Sequence, residues 1–266
     1  MLKIENGLSN GKMDLSNGIF SFRFAVVNFF IMNVVITGAS KGIGKAIAKT
    51  FAANGHNLFL CSRNEVALYK TMEELQTQFA AVEIKAKAFD LSKQAKEFGK
   101  WVNASGIIVD VLVNNAGLFE PGSVYNEPEG LLENQIETNL YSAYHLTRTL
   151  LPKMMENTST SSGRHIFNIC SIASLQAYKN GGAYSISKFA MDGFSKNLRE
   201  EMKEYGIKVT AVYPGAVLTD AWGNFDNSKH RIMEADDVAQ MIYAASQLSA
   251  GACVEEIVLR PQLGDL

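Results

Sequence analysis

The chain has 266 residues, 47% of them apolar, and a formal net charge of -2. That length and apolar content suit one large α/β domain with a sizeable core, and the near balance of charge argues against nucleic acid or an anionic membrane as partner. The three cysteines, Cys61, Cys170 and Cys253, are odd in number and widely spaced, which excludes a disulfide framework and a metal-ligand cluster on pattern and leaves reduced thiols in a cytoplasmic protein as the expectation.

An apolar run from Ile19 to Ile36 raises the question of a membrane or targeting segment. Arg23, Asn28 and Asn33 interrupt it, and its last residues run straight into a glycine turn, where they serve better as a buried strand. Too little is left to cross a bilayer, and a basic region followed by a small-residue cleavage site is missing. Residues 1–31 are expected to be an extension without a role in the fold, upstream sequence included by a start at Met1 rather than Met32.

From Met32 onward apolar strands alternate with helical patterns. The expected order is a strand at Asn33–Ile36, a glycine turn, and a helix through Ala53 stopped by Asn54-Gly55. A strand at Leu58–Cys61 and a helix at about Glu65–Phe79 follow. Strands at Glu83–Phe89 and Val109–Val113 come next, then one long helix over about Gly130–Met155. Residues 157–163, rich in Asn, Thr, Ser and Gly, read as a surface loop. The rest is a strand at His165–Ile169, a helix at Ala183–Tyr205, a strand at Lys208–Val212, a helix near Ala235–Leu248 and a strand near Glu255–Leu259. Such alternation means βαβ units, a doubly wound parallel sheet and helices on both faces, with ligands beyond the carboxyl ends of the strands.

The unusual residues cluster at those ends. Thr37-Gly38-Ala39-Ser40-Lys41-Gly42-Ile43-Gly44 joins the first strand to the first helix. Its glycines let the backbone turn sharply and approach a pyrophosphate, and the helix start presents free N–H groups. The second strand ends in Ser62-Arg63-Asn64, where a carboxylate would bind the ribose hydroxyls of NAD. With Arg63 there and Lys41 within reach, a 2′-phosphate is favoured, so the expected cofactor is NADP(H). Asp90 is placed to accept from the adenine amino group, to cap a helix, or to do both. Asn114-Asn115-Ala116-Gly117 ends the fourth strand, and Pro214-Gly215, Val217 and Thr219 end the sixth, suited to contacts with the nicotinamide carboxamide.

Tyr184 and Lys188 lie four apart on one helix and share a face. A phenol with a reference pKa near 10 is a poor base at neutral pH, and bringing it to neutrality takes about 4 kcal/mol of preferential phenolate stabilisation, which a nearby ammonium and a cationic nicotinamide can supply. Ser171 follows the fifth strand, and Asn139 interrupts the long helix, where it could break the hydrogen-bond ladder and hold a water.

Together TGASKGIG, NNAG, Asn139, Ser171, Tyr184/Lys188 and PGAVLT resemble the short-chain dehydrogenase/reductase family in its compact single-domain form, over Met32 to Leu266. The resemblance implies a seven-stranded Rossmann-type sheet and a catalytic tetrad. In it Tyr184 is the acid/base, Lys188 holds the nicotinamide ribose and lowers the tyrosine pKa, Ser171 orients the carbonyl, and Asn139 supports a proton-relay water. Residues 32–266 are then one dinucleotide-binding catalytic domain. It also implies a homodimer or homotetramer formed through the helix carrying Asn139 and its neighbour. Phe119, Ile172, Leu175, Tyr178, Ala216, Leu218, Trp222 and Phe225 are the candidate substrate wall. The segment PGAVLTDAWGNFD and the tail VEEIVLRPQLGDL are similar to bacterial sepiapterin-reductase-like members, pointing to a small planar or aromatic carbonyl compound. A 3-oxoacyl carrier-protein reductase and a non-enzymatic NADP-binding regulator are the alternatives.

Overall fold

The computed structural model describes residues 10–15, 18–23, 31–156 and 163–265. The chain divides into two compact units, Met1–Ile31 and Met32–Leu266. In the first, β1 (Asn10–Leu15) and β2 (Gly18–Arg23) pair antiparallel. That strand pair is not among the elements read from the sequence. Of the expected loop at 157–163, residues 157–162 lie outside the described residues.

The second unit holds the sheet. Its strands are β3 (Asn33–Thr37), β4 (Asn57–Ser62), β5 (Ile84–Ala88), β6 (Val111–Asn114), β7 (Arg164–Ile169), β8 (Ile207–Pro214) and β9 (Glu256–Leu259). They run parallel in the order β5-β4-β3-β6-β7-β8-β9. The chain builds outward from β3 to β5 and then returns to place β6 on the other side of β3. The crevice at that reversal is where open α/β sheets bind ligands.

Alternation along each strand sends side chains to two faces. Val34, Ile36, Leu58 and Leu60 pack under α1 (Gly42–Ala53) and α7 (Ala235–Ser246), with Ile47, Phe51 and Ile242. Val35, Phe59 and Leu112 pack on the opposite face, against Phe98 and Val102 of α3 (Leu91–Ala104) and Leu146 and Leu150 of α5 (Ser142–Met155). Burying each such side chain contributes about 1.5–3 kcal/mol, so the strand ends are held by a rigid floor. The remaining helices are α2 (Glu65–Gln78), α4 (Leu131–Ile136) and α6 (Gly182–Met202).

Two features differ from the sequence expectation. Helix α3 is an additional element, entered by Asp90, whose side chain accepts from Ser92 N at 3.2 Å. The expected single helix over Gly130–Met155 is α4, one π-helical turn at Glu137–Tyr141, and α5. The π turn carries Asn139, so the ladder is interrupted where that buried amide sits. Among the described residues no helix is long and apolar enough to cross a membrane.

Candidate active site

A cleft of about 780 Å³ opens over the carboxyl ends of β3, β4 and β6. Its floor is the turn from β3 into α1. Gly38 has φ +66° and Gly42 φ +53°, the left-handed region that disfavours side chains. A Cβ on Gly44 would lie 2.3 Å from the Gly38 carbonyl oxygen, so only glycine lets α1 start this close to the turn. Helix α1 has no side-chain cap and no acidic residue in its first turn. Its first amides and dipole are thus left for an anion, which is what a dinucleotide pyrophosphate offers. Gly38, Ser40, Lys41, Gly42 and Ile43 line the cleft, as do Ser62, Arg63, Asn64 and Asp90 along its adenosine side and Asn115, Ala116, Gly117 and Thr219 across from them. A dinucleotide fits this cradle in size and in donor chemistry.

Several of the expected cofactor residues also have partners within the fold. Thr37 is buried, and its hydroxyl accepts from Asn115 N and Ala116 N, both at 2.9 Å, and donates to the Val113 carbonyl. It stitches β3 to β6 instead of facing the cleft. Gly44 lies beneath the turn, and Val217 is buried beside the Met233 strand bridge. Pro214 closes β8, and Gly215 donates its N–H to the Leu259 carbonyl at 2.7 Å; neither residue is part of the cleft wall. Asn64 caps α2 by accepting from Ala67 N at 2.9 Å. Lys41, expected to act beside Arg63, forms an ion pair with Asp220 at 2.9 Å, while Arg63 is exposed at the rim.

The catalytic candidates gather at the other end. A Cβ on Gly117 would come within 3.3 Å of Asn139 Oδ1 and 3.7 Å of Lys188 Nζ, so this glycine joins cleft and cluster. Lys188 is buried, donates to the Ile169 carbonyl at 2.9 Å, and lies 5.9 Å from the Tyr184 ring centre. Ser171 begins a short 3-10 turn in which its hydroxyl accepts from Ala173 N at 3.1 Å and the Ser174 hydroxyl accepts from Ser171 N at 3.2 Å. That reciprocal cap fixes the Ser171 hydroxyl, which lies near enough to the Tyr184 phenol to favour its ionised form.

Burial pushes the Tyr184 phenol above its ordinary pKa, opposed by the Ser171 hydrogen bond. Burial likewise pulls the Lys188 ammonium below its ordinary value. For both groups burial is the largest influence. Asn139, which sits where the ladder breaks, also makes side-chain contacts of its own. Its amide accepts from Leu118 N at 2.6 Å and donates to the Leu118 carbonyl at 3.0 Å and to Ser187 Oγ at 2.8 Å. The side chain clamps the segment after β6, with both amide N–H groups engaged and one lone pair of Oδ1 left over.

The substrate wall is partly assembled. The Phe119 ring meets the Tyr184 ring edge-on at 4.8 Å, and Leu175 and Tyr178 are exposed. Burial, then the neighbouring Tyr184, raises the Tyr178 phenol. Trp222 and Phe225, 5.4 Å apart, pair in the segment after β8. Three residues that sequence reasoning missed organise this end. Gln135 donates to the Glu120 carbonyl at 2.8 Å, Ser187 supports Asn139, and Glu127 accepts from Ala183 N at 2.8 Å. Contacts so distant in sequence leave no local pattern to read.

An open parallel sheet with a glycine-lined anion cradle and a Ser-Tyr-Lys cluster defines a Rossmann-type nucleotide-dependent oxidoreductase. Residues 32–230 match the short chain dehydrogenase family. The chain belongs to that family. It is 34% identical to the sepiapterin reductase of Chlorobaculum tepidum over 242 residues, which cover 88% of this chain and 97% of the relative. Among solved structures it is similar to an alcohol dehydrogenase from the archaeon Thermococcus sibiricus complexed with 5-hydroxy-NADP, with a TM-score of 0.80, 28% identity, and 88% and 97% of the two chains covered. A metagenomic short-chain oxidoreductase in complex with NADP gives a TM-score of 0.74 and 29% identity, with 87% and 97% covered.

Proposed function

We propose that this oxidoreductase uses NADPH to reduce a small planar or aromatic carbonyl compound, sepiapterin-like or a diketone, to an alcohol. The observation that carries the reading is the Ser171–Tyr184–Lys188 cluster against Gly117, at the end of the cradle. The cofactor, when bound, supplies the hydride. Ser171 donates a hydrogen bond to the carbonyl oxygen, and Tyr184 gives that oxygen its proton. Burial favours this direction, because it keeps the phenol protonated. Lys188 holds the nicotinamide ribose beside the phenol. Phe119, Leu175, Tyr178 and Trp222 offer apolar faces to the substrate.

Preference for NADPH is supported by Arg63 at the cradle rim, the absence of an acid at Ser62-Arg63-Asn64, and NADP in the two similar structures. The substrate class is supported by the reductase of C. tepidum and by the aromatic wall. The catalytic unit is residues 32–266, a cytoplasmic homodimer or homotetramer. The test is a fluorescence titration with NADPH and NADH followed by a panel of diketones, sepiapterin and acetoacetyl thioesters. Tighter NADPH binding with turnover of diketones or sepiapterin is expected. Turnover confined to the thioester makes it a 3-oxoacyl reductase, and binding without turnover makes it a regulator.

A further inference from the structure

The turn that launches α6 is unusual in where its cap comes from. Gly181 occupies the N-cap position and offers no side chain, and α6 has no acidic residue in its first turn. The first amides of a helix need acceptors, and here Glu127, 56 residues upstream, supplies one: its carboxylate accepts from Ala183 N at 2.8 Å. The surrounding backbone is shaped to admit it. A Cβ on Gly182 would lie 1.9 Å from Glu127 Oε1, and one on Gly122 would lie 2.6 Å from Glu127 Cγ. Gly182 adopts φ +28° and Asn180 φ +63°. Gly122 N donates to the Asn180 carbonyl at 3.1 Å, and the Ser123 hydroxyl donates to Asn180 Oδ1 at 2.6 Å.

The same segment is pinned at its near end, where Asn139 holds Leu118 from both sides and Gln135 holds the Glu120 carbonyl. Between the pins, Phe119 lies edge-on to the ring of Tyr184, the residue immediately after Ala183. We propose that Glu127 is a positioning residue. Its carboxylate fixes the first turn of α6 and docks the Leu118–Glu127 segment on it, so that the Tyr184 phenol and the Phe119 ring face the carbonyl in one arrangement. A carboxylate at a helix N-terminus is favoured by the hydrogen bond and the helix dipole together. The catalytic side of this proposal rests on Tyr184 being the proton donor.

Glu127→Ala and Glu127→Gln separate positioning from mere stability. Glutamine keeps an oxygen acceptor for Ala183 N, while alanine removes it. In the alanine variant kcat is expected to fall about tenfold, equivalent to about 1.4 kcal/mol of barrier. Its NADPH affinity should stay native, and hydrogen exchange at residues 182–185 should speed up. The glutamine variant should recover most of the rate and the slow exchange. Native exchange in Glu127→Ala overturns the proposal whatever the kinetics, as does a glutamine variant as slow as the alanine one. Tyr184→Phe is assayed alongside: if it retains turnover, or if the native protein reduces no carbonyl on the panel, the proton-donor reading fails and takes the catalytic role of Glu127 with it. The exchange result still reports separately on the clamp.

Discussion

Burial and the neighbouring Ser171 act on the Tyr184 phenol with opposite effects. Desolvation raises the phenol, and the Ser171 hydrogen bond stabilises its ionised form. The first effect is larger, so the phenol loses its proton only above the ordinary tyrosine pKa of about 10. A proton donor must be protonated to act. The rate of carbonyl reduction should therefore stay flat through neutral pH and fall only as pH rises through the alkaline range. Tyr184→Phe should reduce turnover by orders of magnitude while NADPH still binds, because the ring packing on Phe119 survives and only the hydroxyl is lost. A pH–rate profile of reduction, with fluorescence titration of the variant, checks both; a descending limb near neutrality contradicts the dominance of burial. The buried thiols take no part on this scale. Burial pushes Cys170 up to about 11 and Cys61 up to about 12, leaving them protonated and unreactive.

Elements explain what was legible in the sequence. The strands were, because runs such as Val34-Val35-Ile36 and Leu58-Phe59-Leu60 are apolar on both faces and end in polar residues. The phosphate turn was, because its glycines sit between such a strand and a helix. Its geometry gives a sharp test. Gly44→Ala puts a methyl against the Gly38 carbonyl and the Asn115 amide, so NADPH affinity and melting temperature should both drop, measured by titration and thermal unfolding. Overpacking of this kind costs about 1–3 kcal/mol. Helix α3 went unread: Leu91, Ala95, Phe98 and Val102 follow Asp90 at helical spacing, but the lysines between dilute the pattern. The π turn was visible only as a polar residue in the wrong place, and the clamp it makes on Leu118 was not. The Lys41–Asp220 pair and the Glu127 cap were invisible, since each joins a glycine-rich turn to a loop whose path no periodicity predicts.

At the scale of the whole molecule, the elements that carry the candidate site have a second face. Tyr141 of the π turn, Tyr144 of α5, and Ile186 and Phe189 of α6 are all exposed large apolar residues. Tyr144 packs edge-on against Phe194 of α6 at 5.6 Å, which makes the two helices neighbours on this side. Single exposed apolar residues are ordinary, and several on adjacent helices are what a self-associating face would need. The elements involved also carry Asn139 and Tyr184, so self-association here would brace the clamp on Leu118 and the first turns of α6 from behind. A second copy of the chain is the proposed partner. Phe189→Asp places a charge on that face, where an uncompensated carboxylate is costly once buried by a partner. The native protein should elute as a dimer or tetramer in size-exclusion chromatography with light scattering, and the variant should shift toward monomer. Because Phe189 lies outside the cleft wall, NADPH binding should change less than assembly does. A native monomer, or a variant that assembles like the native chain, would remove this face from the account.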